Sequence, residues 1–91
     1  METNSHILVV DDEQDLCEIL KFNLETEGYN VETANSAEEA LEMGIEKSDL
    51  LLLDVMMGGM SGFALAKRLK ENPLTAGIPI IFLTAKDTEN D

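Results

Sequence analysis

Positive charge is scarce in this sequence: 6 Lys and Arg stand against 19 Asp and Glu, for a formal net charge of −13. That balance opposes direct contact with nucleic acid, because phosphate recognition rests chiefly on Lys and Arg. It suits a cation ligand or a basic partner surface, with much of the charge simply solubilising the exterior. Cysteine is nearly absent too. The single Cys17 excludes a disulfide framework and a thiolate metal site, and between Leu16 and Glu18 it reads as a small packing residue on a helix rather than a redox group. Residues 1–4 carry no basic run, and the apolar stretch Ile7–Val10 is too short for a signal sequence or a membrane span, so a cytoplasmic location is expected. No linker, low-complexity tract or close repeat interrupts the 91 residues, which suffice for one small domain.

What is present alternates. Ile7–Val10 predicts a short strand. Leu16, Ile19, Leu20 and Leu24 then recur at three- and four-residue spacing, the stripe of an amphipathic helix, with Gly28 as its stop. Asp12, Glu13 and Asp15 fall near the start of that helix, where negative charge suits its dipole. Tyr29, Val31 and Thr33 at period two predict a second strand over residues 29–34. Ser36 with Glu39 forms a capping box, opening a second helix whose face is Ala37, Ala40, Leu41, Gly44 and Ile45. A third helix opens at Ser61 or Gly62, carries Phe63, Ala66 and Leu69 with Leu65 flanking, and ends at Asn72-Pro73. Residues 78–83 predict a fourth strand with Pro79 at its tolerated entry. Strands alternating with helices argue for an α/β fold of βαβ units around a parallel sheet.

The organising stretch is Leu50-Leu51-Leu52-Leu53-Asp54. Consecutive leucines without alternation read as a strand buried on both faces. Asp54 is then a carboxylate at the mouth of an apolar strand, the end at which open α/β sheets bind ligands. Asp11-Asp12-Glu13 follows the first strand in the same way. If the two strands are parallel neighbours, Asp11, Asp12 and Asp54 converge on one crevice, where they repel one another unless a cation intervenes. An all-carboxylate set favours a hard ion such as Mg²⁺, beside which Asp54 is set to accept a phosphoryl group. Taken singly, Asp11 or Asp12 reads equally as a helix N-cap. Thr84, ending the fourth strand, reads alone as a solvated strand-end residue or a cap, although its hydroxyl is also placed to donate to a phosphoryl oxygen on Asp54.

Val9-Val10-Asp11-Asp12-Glu13, Leu53-Asp54-Val55-Met56-Met57 followed by Gly62, and Leu83-Thr84-Ala85-Lys86 together resemble the receiver domain of two-component response regulators, across the whole chain. The resemblance implies a doubly wound parallel sheet of five strands in the order 2-1-3-4-5. It implies that Asp54 accepts phosphate from a sensor histidine kinase, and that Asp12 and Asp54 ligate Mg²⁺ with the backbone carbonyl of Met56. Asp11 would act through water, and Thr84 would be the switch hydroxyl. Residues 1–91 would be the receiver domain through its fourth strand, with the fifth strand, its phosphate-binding lysine and the last helices missing from this chain. Lys86 does not match that lysine and reads as a solvated charge. Gly58 stands where the family commonly has proline, which should loosen the loop.

The module would be a phosphoacceptor rather than an enzyme, with weak self-dephosphorylation at most. Any transcription regulation or DNA contact would reside outside these residues. An open fourth-strand edge would favour a homodimer or strand-swapped assembly. The rival reading keeps the fold but makes the chain a phosphorylation-incompetent interaction or dimerisation fragment. A hydrolase with an aspartate nucleophile fits poorly, since Met56 occupies the place of its second acid. A flavodoxin fits poorly as well, since Asp11 and Asp12 would repel a phosphate.

Overall fold

The computed structural model describes residues 5–83. Four strands form one parallel sheet: β1 (His6–Val10), β2 (Asn30–Ala34), β3 (Leu50–Asp54) and β4 (Ile80–Leu83), in the spatial order β2-β1-β3-β4. Between them run α1 (Gln14–Thr26), α2 (Ala37–Glu42) with a short 3₁₀ turn at Ile45–Lys47, and α3 (Gly62–Lys70). This is the α/β fold that the strand–helix alternation predicts.

The sheet is apolar on both faces because its central strands must meet helices on both. Leu8, Val10, Leu51 and Leu53 join Ala37 and Ala40 of α2 and Leu65, Ala66 and Leu69 of α3 in one core. Ile7 and Val9 face the other way and join Val31 and Cys17, with Leu20, Leu24, Leu50 and Leu52 packed around them. Leu51 and Leu53 are fully buried, so truncating either to Ala costs about 2–5 kcal/mol in lost transfer energy and cavity formation. Ala37 and Ala40 of α2 are fully buried in that core.

The helix faces differ from expectation at three positions. Ile19 is 56% exposed; the buried stripe of α1 runs through Cys17, Leu20 and Leu24 instead. Leu41 lies at the exposed margin of α2, which stops at Glu42 before Gly44. Phe63 turns outward from α3 and stacks on Phe82 of β4, ring centroids 4.8 Å apart, a tilted aromatic contact. Boundaries shift as well: β2 begins at Asn30 rather than Tyr29, β4 begins at Ile80 rather than Ile78, and α3 stops at Lys70, ahead of Asn72-Pro73.

The helix starts follow the predicted chemistry. Ser36 Oγ accepts the Glu39 N–H at 2.9 Å, and Ser61 Oγ accepts the Ala64 N–H at 3.1 Å. Each satisfies a donor that the first helical turn leaves free. Gly28 follows the Glu27 C-cap of α1, as a stop there requires.

Candidate functional site

Register builds the site. Val10 pairs with Leu53 of β3 and with Ala34 of β2. The next residue on each strand therefore stands at one level along the carboxyl edge of the sheet, in the row Asn35, Asp11, Asp54. The order β2-β1-β3 also makes the gap between β1 and β3 the point where the sheet reverses its winding, and crevices at such points bind ligands.

Asp11, Asp12 and Asp54 meet there. Each offers one carboxylate oxygen, and these oxygens all lie within 4.8 Å of one another. Asp11 is 3% exposed and Asp54 9%, whereas Asp12 reaches solvent. Burial raises the pKa of Asp11 above its ordinary value, and the negative charges of Asp54 and Asp12 push the same way. The Glu13 N–H partly offsets this by donating to Asp11 Oδ1 at 2.9 Å. Neither Asp11 nor Asp12 caps α1: the N-cap is Glu13, and it makes no side-chain cap bond. The capping alternative for these two residues is set aside by that geometry.

Asp54 closes β3. Its Oδ1 accepts the Met56 N–H at 3.3 Å, a local turn that orients the carboxylate. Beyond it, the Gly62 N–H donates to the Val55 carbonyl at 3.0 Å. A Cβ at position 62 would stand 2.1 Å from the Asp54 carbonyl oxygen, so only glycine lets the start of α3 lie against this strand end. In the intervening loop Gly59 has φ +76°, a left-handed conformation that glycine adopts without strain. At Gly58 itself no atom beyond its chain neighbours lies within 4 Å of where a Cβ would stand. Leu83 is the register partner of Asp54, and Thr84, the expected switch hydroxyl, lies outside the described residues, as does Lys86.

Two contributors were not read as site residues from the sequence. Asn35 Nδ2 donates to the Asp11 carbonyl at 3.1 Å, and Cys17 Sγ donates to the same oxygen at 3.2 Å. Cys17 does pack as expected, 1% exposed. Burial and the charge of Asp11 push its thiol up to about 11, which keeps it protonated and unreactive. The signal for Asn35 was its position directly after β2, at the same sheet edge as Asp11.

The donor set is carboxylate only, the ligand type that suits Mg²⁺, Ca²⁺ or Mn²⁺ rather than zinc or copper. Among the described residues no helix is long and apolar enough to cross a membrane.

The sequence profile described as the response regulator receiver domain matches residues 7–91. The chain is 47% identical over 89 residues to the alkaline phosphatase synthesis transcriptional regulatory protein PhoP of Bacillus subtilis, covering 97% of this chain and 36% of that protein. It is 41% identical over 87 residues to the response regulator SaeR of Staphylococcus aureus, covering 96% and 37%. The chain thus spans little more than a third of these curated relatives. Among solved structures, the N-terminal domain of a response regulator receiver protein from Methanoculleus marisnigri superposes with TM-score 0.86 at 41% identity, over 96% of this chain and 72% of that one. The response regulator protein TrrA from Thermotoga maritima, solved in complex with Mg²⁺-BeF, gives TM-score 0.82 at 41% identity, over 90% and 70%.

Proposed function

The chain belongs to the response regulator receiver domain family, and on that premise we propose that Asp54 is a phosphoacceptor, taking a phosphoryl group from the phosphohistidine of a sensor histidine kinase. The meeting of Asp11, Asp12 and Asp54 at one sheet edge carries this reading. Residues 1–91 act as receiver domain in a cytoplasmic phosphorelay, and any control of transcription belongs to a longer protein.

A Mg²⁺ ion fits the donor set. By the family resemblance, Asp12 and Asp54 would hold the ion directly with the main-chain carbonyl of Met56, and Asp11 would act through water. When bound, the ion offsets charge on the oxygens of the transferring phosphoryl group. A carboxylate oxygen of Asp54 forms the new O–P bond as the N–P bond of the donor imidazole breaks, and the departing nitrogen keeps the electron pair. The Met56 N–H orients the nucleophile throughout. Thr84, next after the register partner of Asp54, supplies the hydroxyl that donates to a phosphoryl oxygen.

Mg²⁺ titration by calorimetry tests the site: wild type binds one ion and Asp12→Asn loses most of that affinity. Equal binding by the two would defeat the assignment.

A second reading, association through β4, draws on Ile81 and Phe82, which are 52% and 36% exposed. Apolar side chains on a strand whose described neighbour is β3 alone favour pairing with another strand, in a homodimer or a strand-swapped assembly. Sedimentation across a dilution series decides it: a concentration-dependent dimer supports the reading and a monomer throughout refutes it.

A further inference from the structure

The β1–β2 ladder ends one residue short of where the acidic turn begins to matter. The Asp11 N–H still donates to the Ala34 carbonyl at 3.0 Å, continuing the strand pairing. After Asn35, however, β2 gives way to α2: Ser36 takes extended backbone angles and becomes the N-cap of that helix. The Asp11 carbonyl is held by two side chains, Asn35 Nδ2 at 3.1 Å and Cys17 Sγ at 3.2 Å. A carbonyl oxygen has two lone pairs, and this one uses both.

We infer that Asn35 is a positioning residue for the acidic site, holding the Asp11 peptide so that the Asp11 and Asp12 carboxylates face Asp54. The inference rests on the proposed cation and phosphoryl chemistry of that site. The peptide bond is planar, so the carbonyl of Asp11 and the nitrogen of Asp12 turn as one unit. Fixing that carbonyl fixes the plane that holds the Asp12 nitrogen and Cα, leaving rotation about the N–Cα bond to set the Asp12 side chain within a narrowed range. The orientation of the Asn35 carboxamide is dictated by its acceptor, since only the NH₂ end can face a carbonyl.

Asn35 is itself held from behind. Its main-chain N–H donates to Glu39 Oε1 at 2.8 Å, while the Glu39 N–H donates to Ser36 Oγ at 2.9 Å. The Glu39 carboxylate thus holds the Asn35 main chain, whereas the Ser36 hydroxyl only caps α2 and makes no hydrogen bond to Asn35. The Asn35 amide in turn holds the Asp11 peptide from which two of the three carboxylates extend. The Cys17 thiol, a weak donor, does not substitute for the amide. Asn35 is an exposed residue, so its replacement removes no apolar side chain from the core, although its amide also lies 3.7 Å from Cys17 Sγ. Residues that orient ligands in this way typically alter metal affinity about 10–100-fold when replaced.

The test is Mg²⁺ binding by the metal-free chain, followed by calorimetry, in wild type, Asn35→Ala, Asn35→Ser and Ser36→Ala. Serine at 35 is polar but too short to span to the carbonyl, so both Asn35 variants should bind Mg²⁺ roughly tenfold more weakly. Ser36→Ala removes a bond from the same turn and lowers thermal stability, yet keeps the amide donor, so its Mg²⁺ affinity should stay within about twofold of wild type. With acetyl phosphate as donor, the Mg²⁺ concentration giving half-maximal phosphorylation should rise in Asn35→Ala, and saturating Mg²⁺ should recover the rate. Wild-type affinity in both Asn35 variants overturns the inference, as does an equal loss in Ser36→Ala, which would mark a general loosening. A wild-type chain that binds no Mg²⁺ instead overturns the reading of the site beneath it.

Discussion

Gly62 lies so close to Asp54 that a Cβ built on it would stand 2.1 Å from the Asp54 carbonyl oxygen and 2.9 Å from its carbonyl carbon. Both atoms are backbone in a central strand, so neither can give way cheaply. Gly62→Ala should therefore destabilise the domain by about 1–3 kcal/mol, the usual range for overpacking, and weaken Mg²⁺ binding by displacing the strand end. Urea denaturation with and without Mg²⁺ measures both effects. Unchanged stability would show that α3 shifts freely against β3.

Asp11 makes stability depend on pH. Folding raises its pKa above the ordinary 3.8, chiefly through burial and then through Asp54 and Asp12. Between the ordinary and the raised value the folded chain holds more protons than the unfolded one, so this group lowers stability as pH rises through that window. Metal-free Asp11→Asn should accordingly be more stable than wild type at pH 7, with the difference vanishing below 3.8. Mg²⁺ at 100 times its Kd should add about 2.7 kcal/mol to wild type and less to the variant. Thermal melts across pH check the sign, and a wild type that outlasts the metal-free variant at pH 7 would contradict it.

Cys17, 1% exposed and with its thiol raised to about 11, should resist alkylation in the folded chain at neutral pH and react fully in denaturant. Mass spectrometry after brief exposure to iodoacetamide reads this out. Rapid labelling of the native chain would place the thiol outside the core.

Ser61 Oγ caps α3 through the Ala64 N–H. Ser61→Ala should cost about 1 kcal/mol, visible as a lower urea midpoint with the slope unchanged. A neutral result would mean that water replaces the cap.

Much of this architecture is legible residue by residue. The runs Ile7–Val10 and Leu50–Leu53 declare themselves because strands covered on both faces lose alternation, and Asp11, Asp12 and Asp54 follow from where those runs stop. Ser36 with Glu39 is visible as a cap because capping is local, whereas for α3 the sequence leaves Ser61 or Gly62 as the start and the structure shows Ser61 to be the cap.

Other features depend on distant partners. Ile19 matches the helical spacing as well as Leu20 does, but α1 meets the sheet through Cys17, whose small side chain gives little hydropathic signal. Phe63 fits the buried stripe of α3, yet it faces Phe82, a contact set by the placement of β4. Asn35 is invisible as a site residue until the pairing of Val10 with Ala34 and Leu53 is known. Register is a long-range property, and one residue of slip would move Asn35 off the level of Asp11.

The central claim is that Asp54 accepts a phosphoryl group with the help of its two acidic neighbours. Intact-mass measurement after incubation with acetyl phosphate tests it most directly, with Mg²⁺ present or chelated, in wild type and Asp54→Asn. The account predicts a single added phosphoryl group that requires Mg²⁺, is released by hydroxylamine and is missing from the variant. No incorporation by wild type, or the same incorporation in Asp54→Asn, would contradict it.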